Sequence, residues 1–172
     1  MNDTPKDAAM TGDVTNVVFA GLGGQGVLKA ADILAEAAFQ AGCDVKKAEV
    51  HGMSQRGGFV MSDVRFGDHV LSPMVPPGEA DILVVLDDSQ LDSSRGRLKK
   101  GGLVLLASTI NLDALPTKRA LNVAMLGQLS VHLKIPEATW DQALKASLPE
   151  SSWDANQKAF ELGRAAATRA NA

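Results

Sequence analysis

The segment GLGGQG, at Gly21–Gly26, constrains the fold of this chain more than any other part of the sequence. It follows a short apolar run and precedes a stretch in which apolar residues recur at helical spacing. This order predicts a buried parallel strand over 16–20, a tight turn with GxGxxG spacing, and a helix over 27–41. Such a turn lets the backbone approach an anion while the first N–H groups of the helix point at it. We therefore expect a strand–loop–helix unit at the start of the fold.

Strand and helix patterns along the rest of the chain predict an α/β class. Further strands are expected over 44–50, 59–66, 81–86 and 103–107, and helices over 90–99, 121–133, from 139 onwards and over 153–169. Gly67 and Asp68 predict a turn that leads the third strand back into 69–72 as a β-hairpin. The predicted fold is an open, mostly parallel Rossmann-like sheet with a β-hairpin after the second strand and a helical C-terminal third.

Two other interpretations of the glycine-rich turn stay open at this point. Glu49 lies near the end of the second predicted strand, where a dinucleotide-binding unit places the acid that binds a ribose, so a free-standing Rossmann-like nucleotide-binding domain is the alternative. The predicted hairpin argues against that alternative, because a dinucleotide unit needs a crossover connection to place its next parallel strand. The glycines can also serve only tight turning and close helix packing.

A second glycine-rich segment, HGMSQRGG at 51–58, follows the second predicted strand. Arg56 carries a permanent cation that can bind a carboxylate or a phosphate in a bidentate manner. His51 can titrate near neutral pH, although a single histidine at a strand end is more often a structural hydrogen-bonding residue. Both glycine-rich segments leave the carboxyl ends of predicted strands, where open α/β sheets bind ligands. We expect them to face one site.

Composition excludes several classes of function. A net charge of -3 leaves no excess of Lys and Arg for a phosphate backbone, so we expect no nucleic-acid partner. The single cysteine, Cys43, cannot by itself build a thiolate-ligated cluster, so we expect no metal site in this chain. No apolar run approaches the ~20 residues of a membrane helix, and no secretion signal is seen. We expect a disordered tail over 1–15, one domain over 16–172, a cytoplasmic location and no membrane partner.

Four separated segments together carry a family resemblance. They are GLGGQG after a strand, AEVHGMSQRGGFVMSDVRFG, SPMVPPGEADILVVLD and ALNVAMLGQL. In this combination the chain resembles the gamma-type catalytic subunit of 2-oxoacid:ferredoxin oxidoreductases over about residues 16–169, and is most similar to the small (beta) subunit of indolepyruvate oxidoreductases. The segment HGMSQRGG favours the aryl-oxoacid branch of this family. The family usually carries an extra strand and helix between Ser108 and Arg119, which this sequence shortens to TINLDALPTK.

The resemblance implies one subunit of a complex that is inactive without its partners. The complex would convert an aryl 2-oxoacid (indolepyruvate, phenylpyruvate or phenylglyoxylate type) and coenzyme A to an acyl-CoA, carbon dioxide and reduced ferredoxin or another acceptor. Thiamine diphosphate, Mg²⁺ and iron–sulfur clusters would lie in larger partner subunits, and coenzyme A would bind at a shared site.

The resemblance also implies which residues form the coenzyme A site or active-site loops. It assigns no catalytic residue. The candidates are Gly21, Gly23, Gly24, Gln25 and Gly26 in the first segment and Ser54, Gln55, Arg56, Gly57 and Gly58 in the second, with Glu49, His51 and Met53 as supporting residues.

Overall fold

A single five-stranded sheet forms the centre of the computed structural model, which describes residues 13–52 and 57–170. Its strands are β1 Thr15–Leu22, β2 Asp44–His51, β3 Phe59–Gly67, β4 Ala80–Val85 and β5 Leu98–Leu106. In the sheet order β2-β3-β1-β4-β5, β1 pairs parallel with β4 and β4 with β5, whereas β3 is antiparallel to both its neighbours. Four strands therefore run in one direction, and the prediction of an open, mostly parallel sheet is confirmed.

Helices cover one face of this sheet. Within the described ranges the α-helices are α1 Val27–Gln40, α2 Leu91–Ser94, α3 Leu121–Ser130, α4 Glu137–Ser147 and α5 Trp153–Ala170. Helix α1 packs on β1, β2 and β3, and α3 packs between α1, β5 and α5, so α3 is buried from Asn122 to Ser130. At the α3–α5 crossing Gly163 permits backbone contact, since a Cβ there would lie 1.8 Å from the Ala124 oxygen. The helical C-terminal third is confirmed.

The opposite face of the sheet is covered by irregular structure and by the short helix α2. Val75, in the proline-rich connection before β4, and Leu91, in α2, pack on apolar side chains of β1, β3 and β4. Asp63 of β3 is only 1% exposed, and it accepts hydrogen bonds from Arg97 Nη2 at 2.6 Å and from the Val75 N–H at 2.8 Å. This buried ion pair fastens the connection to the sheet.

The predicted hairpin between 59–66 and 69–72 does not form, and β3 is instead antiparallel to the preceding strand, β2. The pairing of β2 with β3 runs from Asp44 opposite Gly67 to His51 opposite Val60. The prediction of a strand at 69–72 is wrong. Because β1 occupies the other edge of β3, no edge remains for 69–72 to join. Side chains hold that segment instead, since the Val70 N–H donates to Asp44 Oδ2 at 2.7 Å.

Several element boundaries differ from the prediction. β5 begins at Leu98 rather than at 103, and α3 ends at Ser130 rather than at 133. The helix expected over 90–99 is only the four residues of α2, flanked by 3-10 turns at Asp88–Gln90 and Arg95–Arg97. It stops early because Leu98 pairs with Ala80 at the start of β5. Residues 1–12 of the predicted tail lie outside the described residues, and β1 begins at Thr15.

Candidate functional site

The two glycine-rich segments lie side by side at one edge of the sheet. β1, β2, β4 and β5 run in the same direction, so the connections that follow them meet at their carboxyl ends. The Gly23 N–H donates to the Gly58 oxygen at 2.9 Å, which joins the first segment directly to the second. The Gly52 N–H donates to the Phe59 oxygen at 2.7 Å and closes the base of the second segment. The expectation that both segments face one place therefore agrees with the geometry.

Four predicted site residues lie in a stretch of the second segment that the structure does not describe. Met53, Ser54, Gln55 and Arg56 are outside the described residues, and their roles stay predictions. The flanking glycines, Gly57 and Gly58, are described and lie against the first segment.

The side chain of Gln25 holds the first segment together from inside. Its Oε1 accepts a hydrogen bond from the Leu22 N–H at 2.7 Å, and its Nε2 donates to Asp87 Oδ2 at 2.8 Å. Gly21 leaves the space for this arrangement, because a Cβ on Gly21 would lie 2.9 Å from Gln25 Oε1. Both ends of the Gln25 amide thus form hydrogen bonds that stabilise the turn.

Asp87 anchors Gln25 and was not among the predicted site residues. Asp87 Oδ1 accepts hydrogen bonds from the Ser89 hydroxyl at 2.5 Å and from the Ser89 N–H at 3.1 Å. The hydrogen bonds from Ser89, followed by that from Gln25, hold the pKa of Asp87 below its ordinary value, so the anchor is a carboxylate. The sequence signal was available, since Asp87 directly follows the buried strand next to β1.

Helix α3 contacts the other end of the first segment. Asn122 Nδ2 donates to the Gly26 oxygen at 3.3 Å, and the same oxygen accepts from the Ala30 N–H at 2.9 Å as α1 begins. Gly26 has φ 79°, and a Cβ there would lie 2.4 Å from Asn122 Nδ2. Asn122 belongs to the ALNVAMLGQL segment, which carried the resemblance without suggesting a contact with the glycines.

A shallow depression of about 430 Å³ lies beside the first segment. The backbone of Gly23 and Gly24 lines one side, and the side chains of Lys29, in the first turn of α1, and His51 line the others. Among hydrogen bonds between described residues, none engages the N–H of Gly24 or Gly26. Backbone N–H groups and a helix N-terminus are suited to an anion such as a phosphate. The Lys29 ammonium donates to the Ser147 oxygen at 3.5 Å, at the end of α4.

Glu49 and His51 belong to a charged cluster on β2, on the face that packs against α1. Glu49 Oε1 accepts from Lys47 Nζ at 2.6 Å, and its other oxygen lies 3.4 Å from His51 Nε2. The hydrogen bond from Lys47 lowers the pKa of Glu49. Lys47 also contacts Asp32 of α1. Because β3 separates β2 from β1, Glu49 lies two strands, roughly 10 Å, from the strand that carries GLGGQG.

The described residues offer no cluster of three or more His, Cys, Asp or Glu side chains suited to a metal ion. Cys43 is a free buried thiol, and burial raises its pKa. Across the two described ranges, every helix is too short or too polar to span a bilayer.

Comparison with known proteins gives matches over most of the chain. The family model described as pyruvate ferredoxin/flavodoxin oxidoreductase matches residues 16–119. Over 89 residues, or 52% of this chain, the sequence is 51% identical to indolepyruvate oxidoreductase subunit IorB of Pyrococcus horikoshii, covering 44% of that protein. Over 90 residues, or 51% of this chain, it is 41% identical to the pyruvate/ketoisovalerate oxidoreductases common subunit gamma of Thermococcus litoralis, covering 49% of that protein. The chain thus spans about half the length of these curated relatives.

Solved structures share the fold over nearly the whole chain. The keto/oxoacid ferredoxin oxidoreductase gamma subunit of Geobacter sulfurreducens superposes with a TM-score of 0.77 at 26% identity, over 90% of this chain and 99% of that one. A 2-oxoglutarate:ferredoxin oxidoreductase of Magnetococcus marinus, solved with 2-oxoglutarate, coenzyme A and succinyl-CoA, superposes with a TM-score of 0.79 at 21% identity. That match covers 92% of this chain but 32% of the other, so it shows that the same fold occurs within a longer chain.

Proposed function

This chain belongs to the pyruvate ferredoxin/flavodoxin oxidoreductase family, and from this premise we propose that it is the small, gamma-type subunit of a 2-oxoacid:acceptor oxidoreductase complex. The resemblance drawn from four separated motifs is confirmed at the level of the family. The proposed reaction is oxidative decarboxylation of an aryl 2-oxoacid with coenzyme A, which gives an acyl-CoA, carbon dioxide and reduced ferredoxin or another acceptor. The identity of 51% with an indolepyruvate oxidoreductase subunit supports the aryl branch.

The residues of this chain do not fit the cofactors that carry out electron transfer and decarboxylation. An iron–sulfur cluster needs several thiolates, and the sequence has one cysteine. Thiamine diphosphate is held through Mg²⁺, which needs a set of oxygen ligands, and the described residues hold no acidic cluster suited to a metal. We therefore assign thiamine diphosphate, Mg²⁺ and the clusters to one or more larger partner subunits.

The contribution of this chain is a binding surface for coenzyme A at a site shared with the partner. One observation carries this assignment: the first and second glycine-rich segments meet through the Gly23–Gly58 hydrogen bond at the carboxyl edge of the sheet. The N–H groups of Gly24 and Gly26 would hold a phosphate of coenzyme A. Arg56 of the second segment would bind two oxygens of a phosphate in a bidentate manner.

Co-expression with the larger subunit tests the function directly. Alone, the chain is expected to be colourless and inactive, whereas the purified complex is expected to be brown and to reduce a viologen dye when an aryl 2-oxoacid and coenzyme A are both supplied. Turnover by the isolated chain would refute the proposal. Tight binding of NAD or FAD by the isolated chain in calorimetry would instead favour the nucleotide-binding alternative.

Substitution of Arg56 by alanine tests the coenzyme A site within the complex. Loss of a charged hydrogen-bonding partner should raise the KM for coenzyme A by about 10- to 100-fold. Arg95→Ala is the matched control, because Arg95 is exposed and lies in the turn before β5. An unchanged KM and kcat in Arg56→Ala would remove Arg56 from the site.

A further inference from the structure

The connection after β4 approaches the first glycine-rich segment because β1 and β4 are neighbouring strands. Ala20 is paired with Val85, and the Leu86 N–H donates to the Ala20 oxygen at 2.8 Å. This pairing brings Gln25 and Asp87 within hydrogen-bonding distance of each other. We propose that Asp87 is a positioning residue for the first segment, and that it acts through Gln25 to fix the turn that presents the N–H groups of Gly24 and Gly26.

The chemistry of the hydrogen bonds fixes which end of the Gln25 amide faces Asp87. A carboxylate only accepts hydrogen bonds, so the amide nitrogen of Gln25 must face Asp87 and the amide oxygen must face the Leu22 N–H. Leu22 is the last residue of β1, and its N–H is thereby fixed by a side chain three residues further on. The bond from Gln25 to Asp87 is charge-assisted, which makes it stronger than a bond between neutral groups.

Hydrogen bonds from Ser89 hold Asp87 in place independently of Gln25. Its Oδ1 accepts from the N–H and hydroxyl of Ser89, while Oδ2 is left for Gln25. The preceding residues, Val85 and Leu86, are buried in the core and fix the backbone on that side. The anchor therefore lies just beyond the buried end of β4, and the glycine-rich turn is hydrogen-bonded to it through Gln25.

A defined turn matters for binding because a mobile glycine-rich loop must be ordered at a cost when it binds a ligand. The effect on coenzyme A rests on the proposed function of the site. The effect on the turn does not, since it follows from the contacts of Gln25 and Asp87 alone.

A reciprocal exchange of donor and acceptor tests the proposal. Gln25→Glu places two carboxylates in contact, and Asp87→Asn leaves one acceptor oxygen where Ser89 and Gln25 together need two, so either single variant breaks the arrangement. In the double variant the new amide nitrogen at position 87 can donate to the new carboxylate at position 25, which still accepts from the Leu22 N–H. The amide oxygen at position 87 still accepts from Ser89. Rescue by the second substitution would not follow from a merely destabilised fold.

The matched control is Gln157→Glu. Gln157 Nε2 donates to Asp141 Oδ1 at 3.3 Å on exposed surfaces of α5 and α4, so the same substitution creates the same carboxylate contact at a different place. It should leave the glycine-rich turn unchanged.

Two readouts are measured on the full chain within its complex. Hydrogen–deuterium exchange of the hydrogen-bonded amides of Leu22, Gly23 and Gln25 should become about tenfold faster in each single variant and return to near the wild-type rate in the double variant. The KM for coenzyme A should follow the same pattern, rising about tenfold and returning, with little change in the control.

The outcomes separate the two proposals. Unchanged exchange in Gln25→Glu, or no rescue in the double variant, would overturn the positioning role of Asp87. Exchange that changes and is rescued while the KM and kcat stay constant would support the positioning role and would refute the assignment of this turn to coenzyme A.

Discussion

Substitution of Gly26 by alanine measures how firmly α3 fixes the exit of the first glycine-rich segment. At φ 79° a non-glycine residue costs about 1–2 kcal/mol. The new Cβ would lie 2.4 Å from Asn122 Nδ2, so the amide must move and release the Gly26 oxygen. Asn122 is only 7% exposed, and a displaced buried amide costs about 1–3 kcal/mol more. The expected loss in the free energy of unfolding is therefore about 2–5 kcal/mol.

Gly24→Ala is the control that measures the cost of the backbone conformation alone. Gly24 has φ 90°, but a Cβ there would have no atom within 4 Å, so only about 1–2 kcal/mol should be lost. Urea denaturation of the full chain, followed by circular dichroism, measures both variants. In an Asn122→Ala background the cost of Gly26→Ala should fall to that of Gly24→Ala. Equal costs for the two glycines in the wild-type background would refute the argument.

Two further predictions concern buried and anchoring carboxylates. Asp63→Ala leaves Arg97 without its buried partner, so urea denaturation should show a loss of about 3–5 kcal/mol, against less than about 0.5 kcal/mol for exposed Asp92→Ala. The pKa of Asp87 is lowered by its hydrogen bonds from Ser89 and Gln25, so its stabilisation is complete above the ordinary value of 3.8 and is lost as the pH falls through the lower folded value. The difference in unfolding free energy between wild type and Asp87→Ala should be constant between about pH 5 and 8 and become smaller well below about pH 4, whereas a decrease near neutral pH would contradict this assignment.

The sequence predicted those elements whose patterns are local. The apolar runs of β1 and β4 and the helical spacing of α1 each lie within a few residues, and all three elements form as expected. The strand at 69–72 failed because both edges of β3 are already paired, one of them with β1, which lies before α1 and β2 in the sequence. No local pattern carries such information.

The candidate site was predictable in position and less so in the roles of its residues. Gly23 and Gly58 meet as the shared carboxyl edge implied. Gln25 was grouped with the ligand-contacting glycines, but in the structure its amide is committed to Leu22 and Asp87. Its partner is 62 residues away in sequence and becomes a neighbour only when β4 pairs with β1.

The position of β3 between β1 and β2 decides how the GxGxxG pattern is used. In a dinucleotide-binding unit the strand after the first helix pairs beside the first strand, which brings its terminal acid to the ribose of a ligand held by the glycine-rich turn. Here β3 occupies that place, and Glu49 forms its contacts with Lys47 and His51 two strands away. The neighbour that reaches the turn is instead Gly58, at the end of the second glycine-rich segment. One inserted antiparallel strand thus brings a second glycine-rich segment, rather than a ribose-binding acid, to the GxGxxG turn.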